Sequence, residues 1–164
     1  MPQIWLSLGT NMGKRPRNLT AALAALAEVG TITAVSPVYE TKPWGIAEQP
    51  DFLNLCAAAT TSLAPRPLLA ALKTIEQQLG RQPGQRWGPR LIDIDILFYD
   101  HLVYQDDMLI IPHPHLADRA FVLLPLADIA PDLVHPLTGQ TVTQMAATVD
   151  KAAVHPVELH PSWS

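Results

Sequence analysis

Apolar positions along the chain change their spacing several times, and each change marks an element. Ile4 to Leu8 is a short apolar run ending at Gly9, which predicts a buried strand. From Pro16 onward Leu19, Leu23, Leu26 and Val29 recur every three or four positions, predicting a helix that starts at Pro16 and leaves at Gly30. Thr31 to Tyr39 is rich in β-branched residues and predicts a second strand, and Phe52 to Thr61 predicts a third. The stretch 41–51 between them is long for a hairpin, and unstructured connections of that length are often functional. Pro65 and Pro67 open a second helix through Leu68, Leu72, Ile75 and Leu79, closed by Gly80. A loop over 81–90 leads into Leu91 to Tyr99, the clearest strand of the chain. Leu109 to Ile111 reads as a short strand, Leu116 to Ile129 as a helix interrupted at Pro125, and Thr141 to Val149 as a last short helix. Residues 151–164 have no period and are expected to form a surface tail beyond one domain spanning 1–150. The order βαββαβ is the split β-α-β pattern, so the expected fold is α+β and ferredoxin-like, with long active-site loops and C-terminal helical additions.

Composition narrows the functional classes. Among 164 residues only 16% are charged, against a usual share of roughly 25%, and 16 are proline. The prolines are scattered among apolar runs, which excludes a disordered or polyproline chain. A formal net charge of -4 argues against a sequence-independent nucleic-acid binder, yet a few local arginines suffice for one nucleotide. The lone cysteine, Cys56, cannot form an internal disulfide. With no basic-then-apolar leader, no membrane-spanning run and no heptad seam, the expectation is a cytoplasmic protein, not bound to membrane or nucleic acid, acting as a monomer.

The strand Leu91-Ile92-Asp93-Ile94-Asp95-Ile96-Leu97 carries the sharpest chemistry. Strand alternation puts Asp93 and Asp95 on one face, roughly 6.5 Å apart along the chain, with Ile92, Ile94 and Ile96 on the other. Carboxylates at that separation can converge on one or two magnesium ions, or they can be the solvated face of a half-exposed strand. Three arginines stand just before this strand, Arg81, Arg86 and Arg90, together with Trp87. Arginines clamp phosphate oxygens and an indole offers a plate for a planar ring, which suits a metal–triphosphate site; a solvated basic loop is the plainer alternative. Gly9-Thr10-Asn11-Met12-Gly13-Lys14 has too short a glycine spacing for a phosphate-cradling loop of the Walker type, although the turn can still place Asn11 near a ligand.

Phe52 and Asn54 share a strand face and could stack on and hydrogen-bond a flat heterocycle, or be a core Phe beside a capping Asn. The segment Thr41-Lys42-Pro43-Trp44-Gly45 is a rigid turn or a pocket wall. His113 and His115 lack the further ligands of a zinc site, so His113 is better suited to a phosphate, with Arg119 and Phe121 following on a helical stretch. His101, His135, His155 and His160 are expected on the surface.

Taken together, Arg86-Trp87-Gly88-Pro89-Arg90 followed by Asp93, Asp95, Ile96 and Leu97 resembles the signature of the 6-hydroxymethyl-7,8-dihydropterin pyrophosphokinases. Leu8-Gly9-Thr10-Asn11, Gln49-Pro50-Asp51-Phe52-Leu53-Asn54, Ile111-Pro112-His113-Pro114 and the run from Arg119 to Leu126 support it, between about residue 3 and residue 138. The resemblance implies transfer of pyrophosphate from ATP to the hydroxymethyl group of the pterin, with Asp93 and Asp95 holding two Mg²⁺ ions. It further implies that Phe52, Phe121, Asn54, Asn11, Thr41, Pro43 and Trp44 surround the pterin. Arg81, Arg90, Arg119 and His113 would face the ATP phosphates, with Glu76, Ile96, Arg86 and Trp87 also on the nucleotide side, and Arg81 and Arg90 would join the aspartates in catalysis. Where relatives often carry a further arginine before the Pro-His stretch, this chain has Asp106-Asp107-Met108.

Overall fold

The order of apolar runs becomes one main antiparallel sheet and a small two-stranded one in the computed structural model, which describes residues 1–11, 14–41, 51–80 and 91–157. Strand β1 (Gln3–Thr10) lies inside the sheet, flanked by β4 (Phe52–Thr60) and β5 (Asp93–Tyr99). Helix α1 (Arg15–Ala25) continues as one 3₁₀ turn, Leu26–Glu28, before β2 (Thr31–Val35) and β3 (Val38–Thr41). Helix α2 (Pro65–Gly80) connects β4 to β5. With β2 and β3 both paired to β4, the elements follow the expected ferredoxin-like βαββαβ order.

The two faces are built from alternate residues. Ile4, Leu6 and Leu8 meet Leu53, Leu55, Ile94 and Ile96 in one buried cluster under α1 and α2, which contribute Leu19, Ala22, Leu68, Leu72 and Ile75. Trp5, Cys56, Ala58 and Leu97 point the other way, under α3 (Ala120–Ile129) and α4 (Val142–Thr148). Each fully buried Leu or Ile contributes roughly 1.5–3 kcal/mol of transfer free energy. Two such layers therefore bind the sheet from both sides. Helix α4 starts at a reciprocal cap, in which the Gln144 amide donates to Thr141 Oγ1 at 3.1 Å and the Thr141 amide to Gln144 Oε1 at 2.9 Å. Among the described residues no helix is long and apolar enough to cross a membrane.

Several local expectations are corrected. The strand expected over Thr31 to Tyr39 is two strands, because Ser36 replaces a ladder bond with its side chain: Cys56 N–H donates to Ser36 Oγ at 2.9 Å. Pro37 has no N–H to resume the ladder, and pairing advances by one residue between Val35↔Ala57 and Tyr39↔Asn54. The helix expected from Leu116 is broken at Arg119, whose backbone is extended (φ -113°, ψ 96°), and not at Pro125, which sits within α3 and forfeits only the bond to the Phe121 carbonyl. The short strand near Leu109 is real as β7 (Ile110–Ile111) but pairs with an unforeseen β6 (Tyr104–Gln105). Within the expected tail, β8 (Val154–Val157) pairs along β3 and extends the sheet. A bulge also interrupts β5, since Leu6 faces Ile96 while Trp5 faces Phe98, which leaves Leu97 as the extra residue.

His135, expected on the surface, is buried at 8% exposure. Its ring stands edge-on to Phe98 with centroids 5.9 Å apart, and Nδ1 accepts from the Leu137 amide at 3.2 Å. Burial holds its pKa below the ordinary value of 6.5, so the unfolded chain binds the proton more readily than the folded one. The stability owed to the neutral ring is therefore complete above about pH 6.5 and declines as pH falls toward the lower folded value. We expect His135→Asn to lower the melting temperature near pH 7.5 and the deficit to shrink near pH 5.5. Thermal unfolding of both proteins at the two pH values checks this; a deficit that grows on acidification would contradict it.

Candidate active site

On the face shared by Trp5 and Cys56, apolar side chains stop part way along the sheet and polar ones take over. Ser7 pairs with Asp95 on one side and Cys56 on the other, and Gly9 pairs with Asp93 and Asn54. Asn54 in turn faces Tyr39, and Phe52 faces Thr41. Because neighbouring strands are about 4.8 Å apart, Asp93 and Asn54 stand about 10 Å from each other across bare Gly9. The absent side chain is required. A Cβ on Gly9 would lie 2.7 Å from Asn54 Oδ1, so only glycine lets the amide lie over the central strand. Asn54 Nδ2 donates to Thr41 Oγ1 at 3.3 Å, which orients the amide, and both residues are buried. Asn11 is buried just beyond the end of β1, while Phe52, Asp93 and Asp95 are half-buried.

The covered end of the face stops at the start of α3. Cys56 Sγ lies 3.5 Å from the Val122 carbonyl, and burial pushes this thiol well above its ordinary range, so it stays protonated. One residue earlier Phe121 carries the Arg119 guanidinium 5.6 Å from its ring centroid, a cation–π contact at the border of the polar region. No ring contact among the described residues joins Phe121 to Phe52. His113 is tied to β5 through its amide, which donates to the Leu97 carbonyl at 3.1 Å. Its Nδ1 accepts from the His115 amide at 3.2 Å, which leaves the proton of the neutral ring on Nε2. That nitrogen is 4.0 Å from Asp95 Oδ2. Burial holds the His113 pKa below its usual value, Arg119 and His115 add to this, and Asp95 opposes it.

A cleft of about 300 Å³ opens along the outer edge of β5, between Leu69 and Lys73 of α2 and Met108 and Ile110 of the β6–β7 hairpin, and reaches Asp95, Ile96 and His113. Glu76 braces the near wall. Its Oε2 accepts from the Ile94 amide at 3.2 Å and its Oε1 is 3.0 Å from Lys73 Nζ. Burial raises the Glu76 pKa, while Lys73 and the Ile94 amide work against the rise. The far wall is held by Asp106, which accepts from the Tyr104 hydroxyl, from Arg66 Nη1 at 2.7 Å, and from the Met108 and Leu109 amides at 2.7 and 2.8 Å. These donors, the tyrosine first, hold the Asp106 carboxyl far below the usual carboxylate range.

Of the residues singled out from sequence, Asp93, Asp95, Asn54, Thr41, Phe52 and Asn11 meet at one end of this sheet face, and Arg119 and Phe121 border it. Ile96, His113 and Glu76 gather around the edge cleft. Pro43, Trp44, Arg81, Arg86, Trp87 and Arg90 lie outside the described residues. Ser7, Lys73, Arg66 and Asp106 were not anticipated. Lys73 stands three residues before Glu76, a helical spacing that could have revealed the pair, whereas Arg66 and Asp106 meet only through tertiary structure.

Among the described residues no group of three or more His, Cys, Asp or Glu could hold a metal ion. Two half-buried carboxylates on one strand face are an incomplete donor set. That suits a magnesium ion, which takes a few carboxylates and completes its shell with water and substrate phosphate oxygens. It does not suit a closed structural metal site.

The chain matches the family described as 7,8-dihydro-6-hydroxymethylpterin-pyrophosphokinase over residues 5–131. It is 43% identical over 160 residues to the 2-amino-4-hydroxy-6-hydroxymethyldihydropteridine pyrophosphokinase of Methylorubrum extorquens, covering 96% of this chain and 100% of that one. A protein of the same description from Aquifex aeolicus is 42% identical over 137 residues, covering 84% of this chain and 86% of that one. The crystal structure of the Plasmodium falciparum HPPK-DHPS protein with three substitutions has a TM-score of 0.74 at 18% identity, a likeness of fold over 89% of this chain. This chain spans 43% of that one.

Gly9→Ala tests the close approach directly. The new methyl must displace the Asn54 amide from Thr41, at a cost of about 1–3 kcal/mol of stability. Urea unfolding should show that loss, and the side-chain amide resonances of Asn54 should shift; unchanged resonances would refute the packing described.

Proposed function

The chain belongs to the 7,8-dihydro-6-hydroxymethylpterin-pyrophosphokinase family, and from that premise we propose that it transfers the pyrophosphoryl group of ATP to the hydroxymethyl oxygen of 6-hydroxymethyl-7,8-dihydropterin, a step in folate biosynthesis. The observation that carries the reading is the sheet face on which Asp93 and Asp95 lie beside bare Gly9 and the oriented Asn54 amide. Cytoplasmic, monomeric action belongs to the same reading.

In the proposed reaction the hydroxymethyl oxygen attacks the β-phosphorus in line. The bond from that phosphorus to the α–β bridging oxygen breaks, and AMP leaves. Asp93 and Asp95 would hold two magnesium ions, which supply charge neutralisation on the phosphate oxygens and lower the pKa of the attacking hydroxyl. The remaining work is positioning, which is where most of the acceleration in such a transfer arises.

The Asn54 amide offers both a donor and an acceptor to the polar edge of the pterin, and its bond to Thr41 supports one orientation. Phe52 and Phe121 supply apolar faces for the ring, with Asn11 near the hydroxymethyl group. On the nucleotide side the edge cleft takes the adenosine beside Ile96, backed by Glu76 and Lys73. Neutral His113 donates from Nε2 to a phosphate oxygen, and Arg119 adds a cation at the border of the face. Arg81, Arg86, Trp87 and Arg90, with Pro43 and Trp44 on the pterin side, take the roles that the sequence resemblance gives them.

Incubation with MgATP and 6-hydroxymethyl-7,8-dihydropterin, followed by nucleotide analysis, tests the reading. AMP and the pterin diphosphate are the expected products; ADP, or free pyrophosphate with a nucleotidylated product, would reject it. Asp95→Asn removes a charge from the proposed metal face while keeping the side-chain shape. It is expected to lower kcat at least about a hundredfold with folding and pterin binding retained. An unchanged kcat would exclude a role for Asp95 in the transfer.

A further inference from the structure

The first turns of α1 are tied to three segments that border the polar sheet face. Arg15 Nη1 donates to the Asp51 carbonyl at 2.7 Å and lies 4.0 Å from Glu40 Oε2. Glu40 directly precedes Thr41 in β3 and Asp51 directly precedes Phe52 in β4, so one guanidinium reaches both ends of the connection 42–50. Three residues along the helix, Asn18 Nδ2 donates to Thr10 Oγ1 at 3.1 Å and lies 3.4 Å from the Leu91 carbonyl. Thr10 directly precedes Asn11, and Leu91 stands two residues before Asp93. Residues three apart on a helix share a face, so Arg15 and Asn18 act from the same side of α1. Pro16 gives this turn a pre-set backbone.

We infer that Arg15 and Asn18 are positioning residues: together they fix the Thr41–Phe52 side of the face, the Asn11 end of β1 and the start of the aspartate strand relative to one another. The ion pair itself is too exposed to matter much for global stability, with side-chain exposures of 30% and 38%. A short charge-assisted bond to a backbone carbonyl constrains position, and a misplacement of about 1 Å between reacting groups can cost about a hundredfold in rate. Arg15 holds the pterin side. Asn18 links the end of β1, next to Asn11, with the segment that leads into β5 at Asp93, so its loss separates the attacking hydroxymethyl group from the phosphate side. The roles of the two sides rest on the function proposed above, whereas the anchoring does not.

The test compares Arg15→Ala, Asn18→Ala and Arg15→Lys by steady-state kinetics and by hydrogen exchange. Arg15→Ala is expected to raise KM for the pterin about tenfold and to leave KM for ATP within about twofold, and Arg15→Lys should recover most of the loss. Asn18→Ala should lower kcat about tenfold with KM for the pterin unchanged. In exchange, peptides containing Glu40 and Asp51 should open faster in Arg15→Ala alone, and those containing Leu91 in Asn18→Ala alone. Equal losses on both substrates, or faster exchange spread evenly over the chain, would make the two residues merely structural and overturn the inference. Should either alanine variant fail to fold, Arg15→Lys and Asn18→Gln, which keep a donor in place, give the same comparison at smaller amplitude. If the unmodified chain does not turn over ATP and the pterin, the functional reading fails while the exchange data still decide the anchoring.

Discussion

The register of β1 against both of its neighbours is the constraint on which the rest depends. Ser7 opposite Asp95 and Cys56, and Gly9 opposite Asp93 and Asn54, place Ser7, Asp93, Asp95 and Asn54 on one side of the sheet. Sliding β5 by one residue would turn Asp93 and Asp95 inward among Leu68, Leu72 and Ile75 and expose Ile94 and Ile96. An unpaired carboxylate in such a layer is costly enough to forbid the slip. The apolar side of the alternation thus enforces the chemistry of the polar side. Helices α1 and α2 cover one face of the sheet, and α3 and α4 cover the Trp5–Ala58 end of the other.

Within a chain that is only 16% charged, the environment of each carboxylate decides its role. Asp106 is saturated by a hydroxyl, a guanidinium and two amides, which keep it ionised and hold the hairpin turn. Glu76 is buried with fewer donors, and its pKa rises in spite of Lys73 and the Ile94 amide. Its proximity to Asp93 adds to that rise, so the negative charge near β5 is felt on both sides of the strand. Asp95 is half-exposed, and its Oδ2 lies 4.0 Å from His113 Nε2.

How much of this is legible in the sequence depends on whether the signal is periodic. The run Ile92-Asp93-Ile94-Asp95-Ile96 declares its two faces by alternation alone, and Phe52 with Asn54 does so more weakly. The helices α1, α2 and α4 follow from apolar spacing and caps. What escapes is set by partners distant in the chain. Strand β8 has four residues including Pro156, too few for a period, and exists because β3 offers an open edge. The split at Ser36 depends on the Cys56 amide, the burial of His135 on Phe98, and the clasp of Asp106 on Arg66. The significance of Gly9 appears only once Asn54 lies across it. The arginines before β5 and the residues around Trp44 were named from motif and resemblance, and they lie outside the described residues.

The distribution of polar groups between strands and connections has a physical logic for a transfer governed by placement. Strand positions are held by hydrogen-bonded neighbours, on both sides for Asn54 and Thr41 and through β1 for Asp93 and Asp95, so the four keep fixed mutual distances. A connection has no such support of its own, and its ends are as accurate as whatever grips them. In this fold the grip comes from a helix that contributes few residues to the face itself. Arg15 reaches two connection ends and Asn18 two strand ends, so four points around the ligand face refer to one helical segment, which is packed into the core through Leu19 and Ala22. Accuracy at the face is thereby inherited from the opposite, apolar layer. A change in the packing of α1 would reach the ligand without altering any residue that touches it.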